Sequence, residues 1–212
     1  MSGLTDFQVE VARLFFSLPA SRGFLLAGGG ALLATGLTSR ATQDLDFFGS
    51  PGSVDIRAVH LQFERAVAQR GWRSERIQES DSFVRLHVSA DAEIVVDLAI
   101  DAPPGRPPFI SVVGPTFDHE ELAGRKLAAL FGRAEARDFA DVFVLAQRFG
   151  RSVLVTRAAE VDPGVNSILL AEMLRTIDRF DDHELPVGDA DVSTVRDFFR
   201  RWADEITHKW DG

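Results

Sequence analysis

Asp44 and Asp46 stand two residues apart in the stretch Asp44-Leu45-Asp46-Phe47-Phe48. Side chains alternate between the faces of a strand, so the two acids point one way while Leu45 and Phe47 point into a core. Two carboxylates held side by side at the rim of an apolar sheet repel each other unless a cation sits between them. A divalent ion is the usual answer, and an all-oxygen donor set suits Mg²⁺ or Mn²⁺. Upstream, the apolar run Phe24-Leu25-Leu26 leads into Gly28, Gly29 and Gly30 and then a small-residue helix read as Ala31 to Leu37. A glycine turn that feeds a helix N-terminus offers N–H groups and a positive dipole end to an anion. Arg40 follows in a polar loop, where it can neutralise phosphate charge. A phosphate cradle followed by a metal-binding acid pair is the equipment of phosphoryl or nucleotidyl transfer.

Each part has a plainer reading. Three glycines also make an ordinary turn, and aspartates gather at strand ends for local hydrogen bonding. Their order within one compact unit favours the functional reading. Two further positions stand out. Asp97 lies on the run Glu93 to Ile100 among Val95, Val96, Leu98 and Ala99, an expensive place for a charge without a partner, although a solvated face is the alternative. Lys126 is one of two lysines, with Lys209, among 23 basic residues. A chain so biased toward arginine that still keeps a lysine there points to a compact ammonium for phosphate, or else to an ordinary solvated helix face.

The segment GGGALLATGLTSRATQDLDFF resembles the first motif of the DNA polymerase β-like nucleotidyltransferases, and in particular that of the AbiEii/AbiGii toxins of type IV toxin–antitoxin systems. The block HEELAGRKLAALFGRAEARDFADVFVLAQRF is similar to the second region of the same family, in which a lysine helix precedes an Arg…Arg-Asp-x-x-Asp helix. The resemblance spans Phe24 to Phe149. It implies an α/β (α+β) nucleotidyltransferase fold, a mixed sheet flanked by helices, with a helical C-terminal region. It also implies transfer of a nucleoside monophosphate from an NTP to an acceptor hydroxyl. Asp44 and Asp46 would hold Mg²⁺ or Mn²⁺, with Asp97 as third carboxylate or base. Gly28, Gly29, Gly30, Arg40 and Lys126 would hold the nucleotide, with Arg133, Asp138 and Asp141 as support. Without the family, Arg137, Asp138 and Asp141 read equally well as surface ion pairs along a helix. The family carries Thr or Ser where this chain has Gly30, which implies one lost phosphate or sugar contact. The acceptor would be RNA, tRNA included, or a small hydroxylated molecule, and a cognate antitoxin is implied. Antibiotic-type nucleotidyl transfer and a non-catalytic nucleotide- or partner-binding module on the same fold are the alternatives.

These groups need a scaffold, and the rest of the chain supplies one. A helix is predicted from Thr5 to Leu18 with Phe7, Val11, Leu14, Phe15 and Leu18 as its stripe, and another from Ser53 to Arg70 capped by Ser53. Strands are predicted at Trp72 to Gln78, Phe83 to Ser89 and Glu93 to Ile100, joined as antiparallel hairpins, with a short one at Phe109 to Val113. The proline-rich segment Asp101 to Pro108 marks a boundary, dividing a nucleotidyltransferase core at 1–115 from a helical region at 116–212. Helices are predicted at Asp118 to Phe131 and Glu135 to Phe149, broken by Gly132, then at Pro163 to Phe180 and Asp191 to Lys209. Trp202 and Trp210 on the last helix read as packing. A net charge of −9 argues against non-specific coating of nucleic acid. The absence of cysteine excludes disulfides and thiolate metal sites. Five scattered histidines without a His-Glu-x-x-His pattern argue against zinc. No basic leader and no membrane-spanning run is evident, and a cytoplasmic location is expected.

Overall fold

A computed structural model describes residues 3–208; Lys209 and Trp210 lie outside the described residues. The chain divides into two compact units, Met1–His119 and Glu120–Gly212.

The first unit opens with α1 (Asp6–Phe16), and Thr5 and Gln8 form a reciprocal capping box at its start. Such a cap satisfies two otherwise orphaned N–H groups and stabilises the helix by about 1 kcal/mol. β1 (Phe24–Ala27) runs straight into α2 (Gly28–Ala34), so the three glycines are the first turn of the helix and not a loop before it. β2 (Asp44–Gly49) returns antiparallel to β1. α3 (Ile56–Gln69) is capped by Asp55, whose carboxylate accepts from the Ala58 N–H, and not by Ser53. Then come β3 (Arg73–Glu79), β4 (Phe83–Ser89) and β5 (Glu93–Ile100), a meander of two hairpins. β6 (Phe109–Ile110) is shorter than expected, and β7 (Pro115–Thr116), which no periodicity marked, pairs with both β6 and β1.

The sheet runs β3-β4-β5-β2-β1-β7-β6, mixed, with β5 parallel to β2 at its centre. Val84, Leu86 and Val88 of β4, Val96 and Leu98 of β5, and Leu45 and Phe47 of β2 are all buried. Phe15 of α1 stacks on Phe47 with ring centroids 4.0 Å apart, and Phe24 and Phe63 meet Phe15 edge-on. Each such aromatic pair adds about 0.5–1.5 kcal/mol beyond the area it buries. This apolar layer lies under β2 and fixes which way its alternate residues, Asp44 and Asp46, must face.

The second unit is helical: α4 (His119–Arg133), α5 (Ala136–Phe149), α6 (Arg151–Val161), α7 (Ser167–Arg175) and α8 (Val192–His208). α4 passes through Gly132, and the break falls at Ala134, which adopts φ 47°. Lys126 and Arg133 therefore share one continuous helix. α6, unmarked by any amphipathic stripe, lies between the helices predicted at Glu135 to Phe149 and Pro163 to Phe180, where no helix is expected. Trp202 is buried and packs on Phe199, as its apolar spacing implied. Among the described residues, no helix is long and apolar enough to cross a membrane.

Candidate active site

Asp44 and Asp46 are half-buried, alternating with the fully buried Leu45 and Phe47. The parallel ladder sets Asp46 opposite Asp97 and Asp44 opposite Val95. Neighbouring strands lie about 4.8 Å apart, so Asp46 and Asp97 are side by side on one face. The hairpin to β4 places Arg85 opposite Asp97. Three charges therefore stand in one row across the sheet: Arg85, Asp97, Asp46.

Asp97 is buried, and its partner is Arg85. The guanidinium donates from Nε to Oδ1 at 2.8 Å and from Nη2 to Oδ2 at 2.6 Å. A fork of this kind is among the strongest protein ion pairs because both bonds are charge-assisted and parallel. Arg85 also lies over the Phe83 ring, 5.5 Å from its centroid. Asp97 first, then Asp46 and Asp44, hold the Arg85 guanidinium above its ordinary pKa. Arg85 escaped the sequence reading, yet a signal was there. With Ala90-Asp91-Ala92 as the hairpin loop, Ser89 meets Glu93, and counting back in pairs brings Arg85 to Asp97.

Asp44 accepts a 2.5 Å hydrogen bond from the Thr42 hydroxyl. The Thr42 carbonyl in turn accepts from the Gln8 side-chain amide at 2.8 Å. The capping-box glutamine of α1 thus anchors the loop that delivers Asp44. Neither Thr42 nor Gln8 was singled out from sequence.

The three glycines serve three different neighbours. Gly28 adopts φ 58°, and a Cβ there would lie 1.8 Å from Asp46 Oδ2. The backbone at the head of α2 thus abuts the carboxylate as only glycine allows. At Gly29 a Cβ would meet Thr42 Oγ1 at 2.7 Å and Arg40 Nη2 at 3.5 Å, so the Arg40 loop closes over this turn. Gly30 is buried, and a Cβ there would meet Leu45 Cδ2 at 2.9 Å and Leu26 Cδ1 at 3.6 Å. Position 30 thus faces the core and not the acids. The expected loss of a phosphate-facing hydroxyl does not follow from this packing.

The donor chemistry of Asp44 and Asp46, hard oxygens beside a cradle that any side chain on Gly28 would fill, fits a Mg²⁺-type ion. The full three-acid set does not. Among the described residues no group of three or more His, Asp or Glu side chains is arranged to hold a metal ion. Arg85 donates to both oxygens of Asp97.

In the second unit Lys126 is buried, with Nζ 2.8 Å from Asp141 and 3.8 Å from Asp138. Arg133 donates to Asp138 from Nε at 2.9 Å and from Nη2 at 3.0 Å, and the Glu135 N–H donates to the same acid. Asp138 and Asp141 are fully buried acids and not members of a surface ladder. Arg137 turns instead to Glu135. Lys126 lies in an internal ion-pair network joining α4 to α5 and not on a solvated helix face.

A family model described as "Nucleotidyl transferase AbiEii toxin, Type IV TA system" matches residues 13–207. Three solved structures share the fold. A Helicobacter pylori protein assigned as a nucleotidyltransferase superposes with a TM-score of 0.60 at 20% identity, covering 98% of each chain. JHP933 from Helicobacter pylori gives 0.57 at 20% identity over 98% of this chain and 95% of its own. MenT4, a nucleotidyltransferase toxin from Mycobacterium tuberculosis, gives 0.63 at 18% identity over 95% of this chain and 82% of its own. Comparison with curated proteins gave no match.

Proposed function

The chain belongs to the AbiEii nucleotidyltransferase toxin family of type IV toxin–antitoxin systems, and from that premise we propose that it transfers a nucleoside monophosphate from an NTP to an acceptor hydroxyl. The observation that carries the proposal is the acid pair on β2, Asp44 and Asp46, seated against Gly28, where any side chain would collide with the Asp46 carboxylate. In the reaction a bond forms between the acceptor oxygen and the α-phosphorus, the bond to the leaving β,γ-diphosphate breaks, and pyrophosphate departs. A bound Mg²⁺ or Mn²⁺ would supply Lewis-acid polarisation of the phosphate oxygens and orient them for in-line displacement. Asp44 and Asp46 would hold it.

The chain's own groups do the positioning. Thr42 holds Asp44 in one rotamer through its hydroxyl, and Gln8 holds Thr42. Arg40 lies beside the turn at Gly29, where its charge would offset that of the phosphates. Most of the rate enhancement in phosphoryl-type transfer comes from such fixed positions and charges. The acceptor would be an RNA, tRNA among them, or a small hydroxylated molecule, and an antitoxin partner and a cytoplasmic setting go with the family's type IV systems.

The test uses α-labelled NTPs with RNA and small hydroxylated acceptors, with and without Mg²⁺ or Mn²⁺. Label should move only with metal, and Asp46→Asn should abolish transfer while keeping the fold. If wild type binds nucleotide but labels no acceptor, and Asp46→Asn behaves identically, the chain is a binding module on this fold.

A further inference from the structure

The third acid is already neutralised. Asp97 is the most buried of the three sheet carboxylates, and the Arg85 fork occupies both of its oxygens at 2.8 and 2.6 Å. The row Arg85, Asp97, Asp46 follows from the strand register, so the pairing is built into the hairpin. Phe83, two residues before Arg85 on the same strand, supports the guanidinium from beneath with its ring. Arg85 thus donates to each oxygen of Asp97, and among the described residues no three His, Asp or Glu side chains form a group that could hold a metal ion. An arginine is also the side chain best suited to stand permanently beside a buried acid, since it does not deprotonate and is weakly hydrated.

We propose that Arg85 takes the place of a second divalent ion: the site accepts one ion, between Asp44 and Asp46, and Asp97 serves to position Arg85 beside it. This rests on the reading of Asp44 and Asp46 as the metal pair. Arg85 then supplies fixed positive charge at Asp97, the acid that would otherwise complete the donor set of a second ion. Asp97 is a positioning residue and not a ligand.

Counting ions tests this without any turnover. Mn²⁺ is titrated into the full-length protein, and the free ion is read by its paramagnetic resonance signal. Wild type should bind one Mn²⁺ per chain, and Asp46→Asn should lose it. Arg85→Gln should release Asp97 to join Asp46 and raise the stoichiometry to two, while Arg85→Lys, which keeps the charge, should stay at one. The charge-balanced double variant Arg85→Gln with Asp97→Asn should bind one ion within about threefold of wild-type affinity. It also serves if Arg85→Gln alone folds poorly, because no buried charge is left unpaired. Two ions on wild type, one ion on a folded Arg85→Gln, or a loss of about tenfold or more in the double variant, the effect of removing a real ligand or its support, would overturn the inference alone. No Mn²⁺ binding by wild type would overturn it together with the reading of the acid pair.

Discussion

Replacing Lys126 by Met should destabilise the protein severely, although a lysine on an amphipathic helix invites the opposite expectation. Its side chain is only 9% exposed, and its ammonium sits 2.8 Å from Asp141, which is 0% exposed. Methionine keeps most of the aliphatic stem, so the change isolates the charge. Asp138 retains its Arg133 fork and the Glu135 N–H. The loss therefore falls on Asp141. Removing one partner of a buried pair costs about 3–5 kcal/mol because the remaining charge keeps its burial and loses a compensating charge. The surviving Arg133 fork at Asp138 places this case near the lower end, about 3 kcal/mol. For a chain of this size that is a fall of about 6–12 °C in Tm. A solvated lysine would change stability by no more than about 0.5 kcal/mol. Calorimetry and urea unfolding should both report the loss. Adding Asp141→Leu should recover most of it, since replacing both members of a buried ion pair by apolar groups is often near neutral. A Tm within about 2 °C of wild type for Lys126→Met, or a double variant no more stable than the single, would refute the argument.

Three other outcomes follow from particular contacts. Gly28→Ala should displace Asp46, because its Cβ would fall 1.8 Å from Oδ2 at a backbone φ of 58°. The strain should cost about 1–3 kcal/mol in thermal unfolding, together with loss of Mn²⁺ binding. Gly30→Ser should lower the Tm by pressing on Leu45 and leave NTP affinity in calorimetric titration unchanged, whereas a gain in affinity would put position 30 back in the nucleotide site. Arg76 is hydrogen-bonded to Glu64 and Glu79 and holds the Glu79 carboxylate below its ordinary value of 4.5. A carboxylate depressed on folding adds stability above its unfolded pKa and loses it as pH falls through the folded one. Glu79→Gln should therefore flatten the decline of Tm measured below about pH 4.5 and shift the Tm at neutral pH only slightly, as for an exposed pair.

Much of this molecule could be read from local pattern, because strand alternation and turn chemistry act over a few residues. Asp44 and Asp46 had to share a face once Leu45 and Phe47 were assigned to the core, and the structure buries those two. β4 and β5 fall where the alternation placed them, Phe83–Ser89 and Glu93–Ile100. The glycine-rich and lysine-helix motifs marked the family, whose model spans residues 13–207. Boundaries failed where two local signals competed. Asp55 outbid Ser53 as the cap of α3, and Gly132 stayed helical while Ala134 took the turn.

What sequence could not decide was partnership across strands and helices. The residues adjacent to Asp97 do not announce Arg85; the pairing shows only when the register is counted back from the hairpin loop that brings β4 beside β5. Lys126 read as equally consistent with a solvated face because a helix wheel shows a face, not what covers it. Only the packing of α5 against α4 places Asp141 on the ammonium. Gly30 read as a lost hydroxyl until the fold turned that position toward Leu45. Residue type and spacing determine which charges exist and which face of an element they share. Which charge neutralises which depends on register and packing between segments far apart in the chain, and that decided why the third acid is held by an arginine.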